Sequence, residues 1–166
     1  MSKESSIKNV VAAVAHSQNP LEGILQQQGK FTVHENGKNK ILEVPDVVKV
    51  WFVGTSVHRE DGPAIVWHNG GREWYINDEL HREDGPAQIL SGHEFWYQKG
   101  LRHRVDGPAV VTSKGEIEFW VKGEEITELE QLHDLLVDPD FDPKPFFKLV
   151  KKHFQDSDEE ESSSSS

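Results

Sequence analysis

A seven-residue string occurs three times in this chain and constrains its fold more than anything else. His58-Arg59-Glu60-Asp61-Gly62-Pro63-Ala64 recurs as His81-Arg82-Glu83-Asp84-Gly85-Pro86-Ala87 and again as His103-Arg104-Val105-Asp106-Gly107-Pro108-Ala109. The steps are 23 residues (58 to 81) and 22 residues (81 to 103). Trp51, Trp74, Trp96 and Trp120 form a second marker, spaced 23, 22 and 24 residues apart. In the first three cases the His follows the Trp by seven positions; after Trp120 that position holds Thr127, and the array ends there. A fixed period of this length marks supersecondary units that stack side by side because none can bury an apolar face alone.

Each period reads as two strands and two turns. A β-rich run follows the Pro: Ala64-Ile65-Val66-Trp67, Ala87-Gln88-Ile89-Leu90 and Ala109-Val110-Val111-Thr112. Gly-bearing turns at Asn69-Gly70-Gly71, Ser91-Gly92 and Ser113-Lys114-Gly115 lead to the Trp strands, Glu73–Ile76, Glu94–Tyr97 and Glu118–Val121. Tight turns at Asn77-Asp78, Lys99-Gly100 and Lys122-Gly123 close the units. Short β-branched and aromatic runs between such turns form hairpins.

The Asp-Gly-Pro step predicts a rigid corner that launches a strand. Gly takes backbone angles closed to other residues, and Pro keeps its predecessor out of the α region. Asp accepts N–H groups two residues on in an Asx-type turn, and Pro at a strand's first residue removes a donor not yet needed. One Trp per strand predicts a ladder stacked in the core beneath helices, with an exposed binding stripe as the alternative. Phe52, Tyr75, Tyr97 and Val121 then face the other way, so one of the two rows is a candidate recognition surface.

The flanks complete a mainly β (α+β) fold: an antiparallel sheet of stacked hairpin repeats with an N-terminal helix and two C-terminal helices. Ile7, Val10, Val11, Val14 and Ala15 fall at helical spacing, stopped by Asn19-Pro20. Phe31–Val33, Asn36-Gly37 and Ile41–Val44 read as a capping hairpin. Thr127-Glu128-Leu129-Glu130 reads as a capping box opening a helix with Leu129, Leu132, Leu135 and Leu136 as its buried stripe. Asp142-Pro143 opens a second helix carrying Phe146, Phe147, Leu149, Val150 and Phe154. The expected divisions are 1–48 (N-terminal helix and cap), 49–126 (repeat array), 127–155 (helical cap) and 156–166, an acidic, Ser-rich tail read as disordered.

Composition narrows the function classes. Lys+Arg 18 against Asp+Glu 29 gives a net charge of −11, which opposes direct binding to nucleic acid or anionic lipid. With Cys 0 there are no disulfides, thiol nucleophiles or thiolate metal sites. No apolar run reaches ~18 residues, and the first residues lack a secretion-signal layout, so the expected location is cytoplasmic (host cytoplasm if phage-encoded).

The pairs His58/Asp61, His81/Asp84 and His103/Asp106 are candidate metal ligands or acid–base pairs. A metal needs ligands converging within ~2–2.5 Å of one point, and one pair per hairpin makes a row. The expectation is that His and Arg anchor each corner by hydrogen bonds and pair with the repeated Asp or Glu. His-Arg-Glu-Asp is similar to the kinase catalytic-loop string, but the downstream Asn and flanking kinase motifs are absent. There is no P-loop, GxSxG, HExxH or Rossmann glycine pattern. The chain therefore reads as no enzyme, with no metal and no cofactor.

The array, about residues 49–126, resembles the MORN family of about 23-residue β-hairpin repeats, in the divergent form carrying His-Arg-x-Asp-Gly-Pro-Ala. That form is found mostly in proteins of large tailed bacteriophages and giant viruses. Common MORN repeats carry Tyr-x-Gly and Gly-x-Gly where this chain has Trp-Tyr/Phe and Asp-Gly-Pro. The resemblance implies a scaffold or interaction role: a phage or viral protein binding a host or viral protein partner through a flat β surface that includes Phe52, Tyr75 and Tyr97. Two alternatives stand beside it. From Glu124 to Asp142 there are eight carboxylates (Glu124, Glu125, Glu128, Glu130, Asp134, Asp138, Asp140, Asp142) and no Lys or Arg, which suits an acidic nucleic-acid mimic inhibiting a host nucleic-acid-binding or defence protein. The other is a virion or assembly component.

Overall fold

In the computed structural model, which describes residues 31–135 and 142–163, the repeats form one antiparallel meander. The expected helix around residues 7–15 lies outside the described residues. The cap is a hairpin of β1 (Thr32–Asn36) and β2 (Asn39–Val44), followed by β3 (Val48–Val53) and its short partner β4 (Ser56–Val57). Each repeat then contributes a pair to the large sheet: β5 (Ile65–Trp67) with β6 (Arg72–Glu73), β9 (Gln88–Leu90) with β10 (His93–Phe95), and β13 (Val110–Val111) with β14 (Ile117–Val121). Between these pairs sit two-residue hairpins, β7 (Tyr75–Ile76) with β8 (Glu79–Leu80) and β11 (Tyr97–Gln98) with β12 (Leu101–Arg102). The terminal strand is β15 (Glu124–Ile126). The path runs β1-β2-β3-β5-β6-β9-β10-β13-β14-β15, so the repeats lie in a line in chain order.

Two findings differ from the sequence reading of the Trp strands. They are not continuous at Trp74 and Trp96: the chain leaves the large sheet there to form the small hairpin. The register also moves the fourth Trp. Tyr75 pairs with Leu80 ahead of the Asn77-Asp78 turn, and Trp120 pairs with Glu125 ahead of Lys122-Gly123. Trp120 thus occupies the position of Phe52, Tyr75 and Tyr97, and Phe119 completes the row of Trp51, Trp74 and Trp96.

The apolar core is split between the two ends. Leu42, Val44, Val48, Val50, Phe52, Val57, Ala64 and Ile65 form one cluster. Phe119, Val121, Ile126, Leu132, Phe146 and Val150 form the other, under the C-terminal helix. This helix, the 21-residue Pro143–Ser163, begins where Asp142 Oδ1 accepts the Lys144 N–H at 3.2 Å. It runs past Asp156, where the disordered tail was expected to begin. The preceding helix is shorter than its stripe suggests, a 3₁₀ turn at Leu129–Gln131 leading into one α-turn at Leu132–Leu135. Its capping side chain is Gln131, not Glu130: Gln131 Oε1 accepts the N–H groups of Thr127 and Glu128 at 2.7 and 2.9 Å. Among the described residues no helix is long and apolar enough to cross a membrane.

Candidate functional site

The three corners are built alike, around an arginine. Backbone bonds first fold the corner about its Trp: Trp51, Trp74 and Trp96 donate N–H to the carbonyls of Ala64, Ala87 and Ala109 at 2.7–2.8 Å. Their own carbonyls accept from His58, His81 and His103 at 3.0 Å. The Ala side chains are fully buried at this crossing.

The guanidinium fills the loop so formed. The Cζ atoms of Arg59, Arg82 and Arg104 lie 4.2, 4.0 and 4.0 Å from the ring centroids of Trp51, Trp74 and Trp96, within cation–π range. Nε donates to Asp61, Asp84 and Asp106 at 2.8, 2.9 and 2.7 Å. Nη1 donates to the carbonyls of Pro63, Pro86 and Pro108 at 3.1–3.2 Å. The Arg guanidinium beside Asp61, and likewise beside Asp84, holds the carboxyl below the usual carboxylate range.

The expected roles of Asp and Gly in this corner are therefore corrected. The Asp side chain binds Arg Nε. Gly62, Gly85 and Gly107 are not among the residues with positive φ; a Cβ there would stand 3.1, 2.8 and 2.7 Å from Arg Cζ. These glycines let the backbone lie against the guanidinium, opposite the Trp ring.

The Trp row is not a core ladder beneath helices. Trp51, Trp74 and Trp96 are half-buried and roofed by arginine. Only Phe119, the row's last member, lies under the helix, edge-on to Phe146 at 5.9 Å.

The other row is not an open recognition surface either. Phe52 is fully buried in the N-terminal core, because its strand face packs with Val48 and Val50 rather than facing solvent. Tyr75 and Tyr97 are half-buried. Glu73, itself buried, accepts from Tyr75 Oη at 3.3 Å, Trp67 Nε1 at 2.7 Å and Gln88 Nε2 at 3.0 Å. Burial, reinforced by the Glu73 charge, raises the Tyr75 phenol above its ordinary value. Tyr97 Oη accepts from Arg102 Nη2 at 3.0 Å.

Arg102 was not foreseen. Its guanidinium lies 4.7 Å from the Trp120 ring and 5.4 Å from those of Phe95 and Tyr97, and its Nε is buried without a partner among the described residues. The corresponding position in the earlier repeats holds Val57 and Leu80. Glu124, Glu125 and Glu128 are exposed at the end of the array.

Each corner also reaches into the following repeat. Arg59, Arg82 and Arg104 donate their backbone N–H to the carbonyls of Tyr75, Tyr97 and Trp120 at 3.0–3.1 Å. The carbonyls of Val57, Leu80 and Arg102 accept the N–H of Asp78, Gly100 and Gly123 at 2.9–3.0 Å. His58, His81 and His103 accept at Nδ1 from the N–H of Asn77, Lys99 and Lys122 at 3.1, 3.0 and 3.0 Å. The His side chains thus join one repeat to the next. Their conserved geometry is what the spacing of the repeats in one sequence could show only as repetition.

Among the described residues no three His, Asp or Glu side chains form a metal-binding group. The gap between the first two corners is an open groove of about 450 Å³ lined by Trp74, Ile76 and His81, with Asp61, Glu83 and Asp84 among its walls. No known protein family, curated protein or solved structure matches the chain.

Proposed function

We propose that this chain is a non-enzymatic protein–protein interaction module that presents its line of MORN-like corners to a protein partner. One observation carries the reading: what repeats is an outward surface. At each corner the arginine is turned inward, 23–24% exposed, while Asp61, Asp84 and Asp106 stand 81–86% exposed at equivalent places on successive hairpins. Glu60 and Glu83 stand beside the first two Asp residues, and Val105, also exposed, takes their place in the third corner. The resemblance of the His-Arg-x-Asp-Gly-Pro-Ala repeat to a phage and giant-virus form supports a phage or viral protein acting on a host or viral partner. A second reading, acidic mimicry of nucleic acid, draws on Glu124, Glu125 and Glu128, all exposed at the far end.

Affinity capture from bacterial lysate, with variants matched for fold by circular dichroism, separates the two. The corner reading requires a partner lost on E60K/E83K/V105K and retained by E124K/E125K/E128K. The reverse pattern, with capture vanishing between ~50 and 200 mM salt, would establish mimicry. Capture indifferent to both sets would refute both.

A further inference from the structure

We propose that the three corner histidines make the junctions between repeats acid-labile: protonation of His58, His81 and His103 uncouples each repeat from the next. At every junction Nδ1 accepts a backbone N–H from the following repeat's tight turn, at 3.1, 3.0 and 3.0 Å. An imidazole accepts at Nδ1 only when neutral with its proton on Nε2; the imidazolium has two donors and no acceptor. A charged ring would set N–H against N–H at the same place in each junction.

The donors sit on strained backbone. Asn77, Lys99 and Lys122 have φ of 49°, 50° and 50°, a left-handed conformation that costs a side-chain-bearing residue and persists where surrounding contacts impose it. The His acceptor is one such contact. The neighbouring carbonyl, of Val57, Leu80 or Arg102, is the other, holding the turn's second N–H.

The charged surroundings differ at the three sites. Glu60 Oε1 lies 3.4 Å from His58 Nε2 and is itself bound by Lys38 at 2.9 Å. Asp78, on the turn opposite His58, is occupied with the Val57 N–H at 2.7 Å. Glu83 Oε1 lies 3.8 Å from His81 Nε2. Arg59, Asp61, Arg82 and Asp84 line the groove on one side of His81, and Glu60, Glu79 and Lys99 the groove on the other. His103 has Val105 where the others have a carboxylate, is flanked by Arg102 and Arg104, and faces Lys122. Glu60 accepts from His58 Nε2–H whether or not the ring is charged, and Glu83 lies beyond hydrogen-bond reach of His81, so both carboxylates leave the conflict at Nδ1 untouched. Burial and then the Lys122 charge hold His103 below its ordinary value. The closed junction, with Nδ1 as acceptor, excludes the proton and the open one binds it, so coupling is present while the rings are neutral and weakens as acid charges them.

The test is NMR on the full chain. At pH 7.5, long-range ¹H–¹⁵N correlation is expected to show all three rings as the Nε2–H tautomer. Hydrogen-exchange protection of the Asn77, Lys99 and Lys122 amides, corrected for intrinsic rate, is expected to fall about tenfold per pH unit below about pH 6.5. In H58N/H81N/H103N the Asn Oδ1 stands where Nδ1 stood, and protection is expected to become independent of pH. An Nδ1–H tautomer in the wild type, protection unchanged by acid, or an unaltered pH dependence in the Asn variant would each overturn the proposal. The two wild-type measurements decide it even if the triple variant does not fold.

Discussion

Replacing Gly85 by Ala tests why a glycine stands in each corner. The nearest atoms to an added Cβ belong to Arg82, with Cζ at 2.8 Å and Nε and Nη1 at 3.1 Å. The guanidinium cannot retreat freely: Trp74 lies against it at 4.0 Å, and it is bonded to Asp84 at 2.9 Å and to the Pro86 carbonyl at 3.2 Å. Either the corner is overpacked, at about 1–3 kcal/mol, or the arginine is expelled and its contacts are lost. Arg82→Ala bounds that second cost: about 1 kcal/mol for the half-buried cation–π contact and about 1.5–3 kcal/mol for a charged hydrogen bond to a carbonyl. Gly85→Ala is therefore expected to cost about 2 kcal/mol, lowering the melting temperature by about 4–8 °C for a chain of this size. In an Arg82→Ala background the obstacle is gone. There the same substitution is expected to be neutral or to stabilise by about 0.4–1 kcal/mol, since Gly85 lacks positive φ and Ala restricts the unfolded chain. A double-mutant cycle by urea denaturation, followed by tryptophan fluorescence, reads the difference directly. If Gly85→Ala costs as much without Arg82 as with it, the glycine serves the backbone and the sandwich is not its reason.

Glu73→Ala would strand three donors, from Trp67, Tyr75 and Gln88. It is expected to destabilise by about 2–4 kcal/mol, and Glu73→Gln should let Tyr75 ionise at lower pH, read by ultraviolet titration of the phenol. Phe146→Ala removes the buried ring that covers Phe119; a loss of about 3–5 kcal/mol is expected, with hydrogen exchange rising first in β14 and β15. Arg102→Leu puts an apolar side chain where the other repeats have Val57 and Leu80 and removes a buried, unpartnered Nε. Chemical denaturation should show it neutral or stabilised by up to about 1 kcal/mol.

The repeated string made the hairpin sheet and its linear order legible, because strand runs and turn residues recur in phase. The fourth register departs from the Trp spacing because the Trp is not the phase marker. Phase is set by the tight turn: the turn begins three residues after Trp51, Trp74 and Trp96 but two after Trp120, at Gly54, Asn77, Lys99 and Lys122. Counting back from the turn would have placed Phe119 in the row and Ile126 opposite it, where the other units have His. The partner of each histidine was hidden for a different reason. Its donor lies 18 or 19 residues downstream on the next hairpin, and a backbone N–H leaves no residue-type signature. The burial of Phe52 was equally out of reach, since strand alternation separates two faces without saying which one is covered.

The split core explains why the corners are built from polar groups at all. Large apolar side chains gather at the two ends, while the middle of the array contributes little more than Ala87, Ala109 and Val110 to the buried set. A two-residue hairpin such as β7–β8 has too little apolar surface to hold itself in water. Its order has to come from its neighbours, through contacts that can be copied unit by unit: an arginine between a ring and a glycine, and three backbone donors passed between adjacent repeats. Such contacts are short-ranged, so each repeat's stability depends on the one beside it and on the two apolar ends. Phe119 shows how the series stops. It has no following corner to lay an arginine over it, Thr127 stands where the arginine would be, and the C-terminal helix supplies Phe146 in place of the guanidinium.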